Sequence, residues 1–416
     1  MKVILYISIL CIALFSCSSS QKSFDNLAST FSENDNYFIN DYAVFNTNDS
    51  ISELTLQINQ NKLLYIKTPD NPIFSAHYEI AYRVYSSYSD EIIVDSTTFE
   101  FASNKENANA AFIHKIKFIA PKGKKYFLEI IARDLQRNSQ FSIVTEVLKT
   151  MNSSRNYFSA AQNNITLKNT FVVDTGVPVF IQNEYLKNDT IYLKAYFRNF
   201  KLPLAPYDLS ANEKFNSNPD SLILLYSDSL GSFSFTPWNR GFYFMQTDTS
   251  SKEGYTVFSF NETYPYIVKK NQLVAPLQYL CTSVEFKNIS EATNIKKEVE
   301  KFWIESCGSK ENASEHLKQY YLRTELANKF FSSYREGWRT DRGMIFIIFG
   351  APKYILRGDN SERWVYGDDN SVMSEDFMFY RIDTPFSSNA YSLERSTLFK
   401  NSWFKMIEAW RDGRLF

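Results

Sequence analysis

The 416-residue sequence holds only four cysteines, three histidines, twelve glycines and twelve prolines, and its formal net charge is -1. Each shortage excludes something. Cys11 and Cys17 fall at the extreme N-terminus, leaving Cys281 and Cys307 for the rest. Two lone thiols make no disulfide framework, although one bridge between them stays open in an oxidising compartment. His77, His114 and His316 stand far apart, without metal-ligand spacing, and read as surface or core histidines. A near-neutral charge argues against nucleic-acid binding, which needs a basic excess. No serine stands in a G-x-S-x-G turn and no D-x-D-x-D-G calcium loop occurs. We therefore expect no cofactor, no metal and no catalytic set. The apolar run from Val3 to Phe15 is short for a membrane-spanning helix.

What is present in quantity is aromatic: 27 Tyr and 36 Phe, enough apolar material for real cores. Lys2, the run to Phe15, and Leu14-Phe15-Ser16-Cys17 together resemble a bacterial lipoprotein signal with its lipobox. The resemblance implies a signal peptide over 1–16 and acylation of Cys17. Ser18-Ser19-Ser20-Gln21-Lys22-Ser23 opens a polar tether over 17–36. Several acyl chains bury many methylenes at about 0.8 kcal/mol each, enough for a stable anchor. At ~100–200 residues per domain, the remaining chain should form two to four domains.

The first stretch, 37–150, reads as strands at 77–86, 91–101, 112–120, 126–134 and 141–149, rich in Ile, Val, Tyr, Phe and Thr with polar turns between. The run Pro121-Lys122-Gly123-Lys124-Lys125-Tyr126-Phe127-Leu128 resembles the tyrosine corner of immunoglobulin-like sandwiches. Residues 150–168 are small and polar and mark a boundary. A second β region over 168–288 has strands at 170–182, 190–200, 221–227, 241–248 and 255–260, with a long loop at 201–220 carrying Pro203, Pro206 and Pro219.

After Asn288 the periodicity becomes helical, at 294–306, 314–336 and 399–411. Asn312, with Glu315 three residues on, fits a capping box for the middle helix. Gly337 would end it in a left-handed turn, letting Trp338 fold back over Phe331 and Tyr334. Thr340 and Asp341 suit a turn, and Gly343 lets the chain enter the next element. The run MIFIIF, 344–349, between glycines, reads as a strand covered on both faces, ended by Gly350-Ala351-Pro352. Strands at 364–366, 377–380 and 391–393 would complete a small sheet. The last helix puts Trp403, Phe404, Ile407 and Trp410 on one side.

Gly337-Trp338-Arg339-Thr340-Asp341, then Arg342-Gly343, Gly350-x-Pro352 and Trp364-x-Tyr366, resembles the GWxTD domain of exported proteins in the Bacteroidetes and relatives. That likeness implies a C-terminal α+β domain over 292–416 following β-rich regions, and it brings no established activity. The fold class expected is therefore multidomain and mainly β: two immunoglobulin-like β-sandwiches, then an α+β domain. The order Arg-Gly, apolar run, G-x-P, W-x-Y is also similar to small lipoproteins that assist outer-membrane protein assembly. In those the apolar run is helical, whereas here it reads as a strand. Asp-Ser or Asp-Thr followed by an aliphatic residue or Thr resembles the O-glycosylation acceptor of that phylum, at Ser50, Ser96, Thr190, Ser221 and Ser229. Surface-exported lipoproteins of the phylum carry acids just after the lipidated cysteine. Here the first, Asp25, comes late, which favours the periplasmic side of the outer membrane.

Three sets of residues suggest chemistry. Asp341 beside Arg339 or Arg342 reads as a salt bridge or turn cap before it reads as a catalytic acid. Asp359, Glu362, Asp368, Asp369, Glu375 and Asp376 read as a solvated acidic loop rather than a calcium site. A glycosidase would need two facing carboxylates, which any sandwich offers by accident. The expectation is a non-catalytic lipoprotein of the outer membrane, an interaction or scaffolding subunit of an envelope complex serving outer-membrane protein assembly or secretion. Its partners would be membrane lipid, through the acyl anchor, and envelope proteins. The alternatives are an envelope enzyme acting on glycans or peptides near 337–343, and a carbohydrate-binding module.

Overall fold

In the first β region the alternation of Leu54, Leu56 and Ile58 with polar neighbours turns one face of a strand inward. The computed structural model describes residues 28, 31, 37–69, 71–89, 91–163, 172–211, 215–367 and 374–414. Cys17, the expected signal peptide and most of the tether lie outside the described residues. Strands β1 (Ile39–Asn46), β2 (Ile51–Ile58), β3 (Ile66–Thr68), β4 (Asn71–Ser87), β5 (Ile92–Asn104), β6 (Phe112–Ile119), β7 (Lys125–Asp134) and β8 (Ser139–Leu148) form two antiparallel sheets. The first has order β1-β2-β6. In the second, β3-β4-β7-β8 form the path and β5 pairs with β4. Their facing residues, among them Leu54, Leu56, Ile80, Val84, Leu128 and Ile130, make one sandwich core. The tyrosine corner forms: Tyr126 Oη donates to the Pro121 carbonyl at 2.6 Å.

The second module uses β9 (Ser159–Ala161), β10 (Val179–Gln182), β11 (Thr190–Tyr196), β12 (Ser221–Tyr226), β13 (Ser232–Phe235), β14 (Gly241–Gln246) and β15 (Tyr255–Ser259). Sheets of order β13-β10-β9 and β12-β11-β14-β15 share a core around Val179, Ile181, Leu193, Tyr243 and Val257. Its strands stop at Ser259, well short of residue 288; the chain then runs through short 3-10 turns at Lys270–Leu273 and Ala275–Tyr279. The expected strand at 170–182 is realised only as β10 and an isolated bridge from Val172 to Phe258.

The C-terminal module contains α1 (Ser283–Ser290), α2 (Ile295–Cys307), α3 (Lys310–Phe331), α4 (Asp341–Phe349), the sheet β16 (Tyr354–Arg357), β17 (Ser361–Tyr366), β18 (Glu375–Arg381) and β19 (Tyr391–Leu393), and α5 (Lys400–Arg411). Several expectations are corrected here. The run MIFIIF is helical. Residues 342 to 348 are buried all round, and a buried helix is apolar on every face, so it shows the same uninterrupted run as a covered strand. Helix α3 is capped by Ser309, whose Oγ accepts the Asn312 N–H at 3.2 Å; the Asn312 side chain instead donates to the Cys307 and Gly413 carbonyls. It ends at Phe331, short of Gly337. On α5, Trp403 and Trp410 are buried, whereas Phe404 is 45% exposed and lies against Tyr207. Cys281 and Cys307 are free thiols. Phe31, expected in a free tether, inserts among Phe330, Phe331 and Trp364 at centroid distances of 4.8–5.4 Å.

The three modules are fastened to each other. Arg381 of β18 grips both carboxylate oxygens of Glu146 on β8, one at 2.6 Å. Asp359, in the β16–β17 turn, accepts the Tyr88 and Ser89 N–H groups at 2.8 and 3.0 Å. Phe386 sits among Tyr196, Phe242 and Phe244 of the second module. The whole is mainly β with its helices gathered at the C-terminus. No helix among the described residues is long and apolar enough to cross a membrane.

Candidate functional site

The motif residues converge on the N-terminus of α4. Gly337 does not adopt the expected left-handed turn. It is required because its backbone lies flat on α3: a Cβ there would come within 2.0 Å of the Ala327 carbonyl oxygen and 2.6 Å of the Asn328 Cα. Gly337→Ala should therefore force the corner off α3 and cost about 1–3 kcal/mol, seen as a lower denaturant midpoint at unchanged m-value.

Trp338 is buried, and its N–H donates to Asn328 Oδ1 at 3.1 Å. Its ring partner is Tyr279 (6.4 Å, edge-on), whose hydroxyl donates to the Trp338 carbonyl at 2.8 Å. The expected packing over Phe331 and Tyr334 is replaced, since those two rings turn to Phe31 and Phe200. Arg339 covers the outer face of Trp338, with its guanidinium carbon 4.5 Å from the ring centroid.

Thr340 is the N-cap of α4. Its Oγ1 accepts the Gly343 N–H at 3.0 Å and donates to the Gly337 carbonyl at 2.7 Å. Asp341 occupies the first helical turn, where a negative charge suits the dipole. Its Oδ2 accepts the Leu393 N–H at 2.8 Å and its Oδ1 accepts from Arg395 at 2.6 Å. The partners suggested by proximity are otherwise engaged: Arg339 pairs with Glu336 and Arg342 with Glu362. Arg395 carried no signal in the sequence, because it reaches Asp341 only after the chain has traversed the whole sheet.

Arg342 donates to Glu362 at 3.0 and 3.2 Å and to the Asn389 carbonyl at 2.9 Å, while lying 4.1 Å over the Tyr391 ring. Glu362 is also 3.4 Å from Arg357 and accepts Trp364 Nε1 at 3.3 Å. Burial pushes the Glu362 carboxyl up, but the Arg342 and Arg357 guanidiniums outweigh it and hold the group below the usual carboxylate range. Gly350, at φ +82°, closes α4 where a Cβ would meet the Arg323 guanidinium, and its carbonyl accepts Tyr366 Oη at 2.9 Å. Pro352 and Trp364 are buried beside it.

The acidic stretch is thus not a solvated loop where it is described. Asp359 and Glu362 are interface and core anchors, and Asp376 pairs with Arg363. Asp368 and Asp369 lie outside the described residues. Among the described residues no group of three His, Cys, Asp or Glu is placed to hold a metal. His114 meets the Tyr78 hydroxyl at 2.8 Å, and His316 Nδ1 meets the Asn312 carbonyl at 2.9 Å. Of the glycosylation candidates, Ser50, Ser96 and Ser229 are exposed, and Thr190 and Ser221 are half-buried.

Sequence reasoning missed a second feature. Where the two sandwiches meet the 385–389 loop lies a cleft of about 450 Å³, walled by β1, by Phe158 and Tyr255, and by Phe386. Its size is that of a ligand site, and module junctions are where such sites concentrate. No local pattern marked it, because its walls come from stretches of chain far apart in sequence.

No curated protein sequence matches this chain. Solved structures with some likeness include a red sea bream transglutaminase, at 10% identity and TM-score 0.18, covering 53% of this chain and 31% of that one. Another is BcpA, the major pilin subunit of Bacillus cereus, at 11% identity and TM-score 0.14, covering 54% and 64%. The chain therefore spans less than two thirds of either neighbour. The family comparison covers the corner just described together with β14 and β15: residues 241–412 match the GWxTD domain, and the C-terminal part of this chain is a GWxTD domain.

Proposed function

We propose that the protein is a non-catalytic, lipid-anchored subunit of an outer-membrane complex that assembles or exports outer-membrane proteins, held on the periplasmic side through acylated Cys17. The observation that carries the reading is the state of the motif: Trp338, Thr340, Asp341 and Arg342 are each less than a tenth exposed. Their polar atoms are spent on Arg395, Leu393, Glu362, Asn389 and Gly343. Such a corner fixes two helices, α3 and α4, to the sheet; it does not present a free acid to a substrate. Support also comes from α4. With the apolar run helical, the order Arg-Gly, helix, Gly-x-Pro, Trp-x-Tyr hairpin no longer departs from that of the small lipoproteins that assist outer-membrane assembly. Modules fastened by Glu146–Arg381 and by Asp359 present a stiff surface, which suits a scaffold.

The test is affinity purification of the full-length protein from detergent-solubilised membranes, followed by mass spectrometry of bait and partners. The expected result is an acylated bait that enriches outer-membrane assembly or export components over an unrelated lipoprotein. An unacylated mature protein, or a bait that enriches nothing, would overturn the reading.

A further inference from the structure

Strand β12 ends its sheet, whose order is β12-β11-β14-β15, and among the described residues it is hydrogen-bonded to β11 alone. The bridge from Val172 lies on β15, at the far edge of the same sheet. Sheet edges are ordinarily blunted by lysine, proline or a bulge, because an open, flat, apolar edge pairs with other chains. β12 has none of these. Its sequence, Ser221-Leu222-Ile223-Leu224-Leu225-Tyr226, holds no charge and no proline, and its register with β11 runs without a shift. Leu222 is 54% exposed, Leu224 48% and Tyr226 70%, so the edge is uncovered. Leu230, in the turn after β12, is exposed as well. Apolar rows of this kind mark interaction surfaces.

The backbone dictates how a strand must arrive. Ser227 N–H donates to the Asp189 carbonyl at 3.1 Å. Backbone groups alternate in direction along an antiparallel pair. Those of Ser221, Ile223 and Leu225 therefore face β11, and those of Leu222, Leu224 and Tyr226 face outward. The outward set is centred on Leu224. A second copy, turned by a two-fold axis through that residue, satisfies all of it: Leu224 pairs with Leu224 of the second copy, and Leu222 with its Tyr226. On the inner face Ile223 meets Leu225. Asp220 then falls opposite Asp228 of the second copy, and both carboxylates are already held within their own chain. Asp220 pairs with Arg198 and accepts the Phe197 N–H at 2.6 Å; Asp228 Oδ1 accepts the Leu230 and Ser232 N–H groups, each at 2.8 Å. A foreign strand would find no charged side chain on β12 to select it, whereas a second copy carries the matching row by symmetry.

We propose that the protein forms a two-fold dimer through β12, which joins the four-stranded sheets of two copies into one continuous sheet. The inference goes beyond the subunit reading and does not depend on it. Backbone pairing along Leu222, Leu224 and Tyr226 supplies the bonds, and the apolar row sets the register. One strand pair is smaller than a standard interface of ~800 Å² per partner, so the dimer exchanges with the monomer instead of being permanent.

The test uses the full-length chain in whole cells treated with copper phenanthroline, with wild type as the background. Leu224→Cys should give a disulfide-linked dimer in roughly tenfold excess over wild type, since hydrogen-bonded partners stand about 5.5 Å apart at Cα, within disulfide reach. Leu222→Cys and Tyr226→Cys should each stay uncrosslinked alone and cross-link when the two chains are co-expressed. Adding Leu224→Lys to both chains should lower that cross-link roughly tenfold. Leu224→Lys in one chain with Leu224→Glu in the other should restore it. Because Leu224 is exposed, the purified Leu224→Lys chain should unfold at the wild-type midpoint; should it not, the cysteine variants decide alone. No cross-link from Leu224→Cys overturns the proposal. So does equal cross-linking from Leu222→Cys alone, which would mean chance collision, and so does failure of the Lys and Glu chains to pair. A Leu224→Cys chain joined to a different protein would assign the edge to a foreign strand and overturn it as well.

Discussion

Replacing Asp341 by asparagine should lower the unfolding free energy by about 3–5 kcal/mol, because it leaves Arg395 buried and charged without its partner. Both side chains are less than a tenth exposed, so little water is available to compensate. Asparagine can still accept the Leu393 N–H, which confines the loss to the ion pair. Denaturant unfolding near neutral pH gives the number. Trp338→Ala should cost a similar ~3–5 kcal/mol through the lost ring. The double variant Asp341→Asn/Arg395→Met should recover much of the single-site loss, since it removes the stranded charge along with its partner. An Asp341→Asn protein of unchanged stability that loses its cellular role would return the corner to the enzyme reading.

The second large effect belongs to Glu362. Glu362→Gln leaves Arg342 and Arg357 facing each other across a neutral amide, with Arg342 3% and Glu362 2% exposed. The expected loss is again about 3–5 kcal/mol. This site also has a pH signature. In the folded chain Glu362 titrates below the usual 4.5, so the unfolded state binds its proton first as the pH falls. The stabilisation is fully present above about pH 4.5, the unfolded value, and is lost as the pH drops through the lower folded value. Wild-type stability should fall across that acid limb, and Glu362→Gln, weaker at neutral pH, should fall less steeply. Matching slopes for the two proteins would show that Glu362 does not carry the acid sensitivity.

Much of the architecture was legible before the structure. The alternation around Tyr82, Ile116 and Ile130 marked strands because half-buried sheets impose a period of two, whereas the strands at Ile39–Asn46 and Ile51–Ile58 went unread. The tyrosine corner at Tyr126 was readable because its geometry is local. The motif from Gly337 to Tyr366 marked a packed corner, and it is one. Where the reading failed, the deciding contact was distant. Whether MIFIIF is strand or helix depends on how completely neighbours cover it, and its own residues do not encode that. Gly337 looked like a helix terminator, whereas its small size serves a crossing against Ala327. Arg395 carried no mark of its own in the sequence, and it proves to be the partner of Asp341.

The docking of Phe31 sets the protein's standing posture. Ala28 is buried in the same core, and only ten residues separate it from Cys17. A fully stretched chain of that length reaches about 40 Å. If Cys17 holds the lipid, the GWxTD domain is leashed against the bilayer by its own core, although it comes last in the chain.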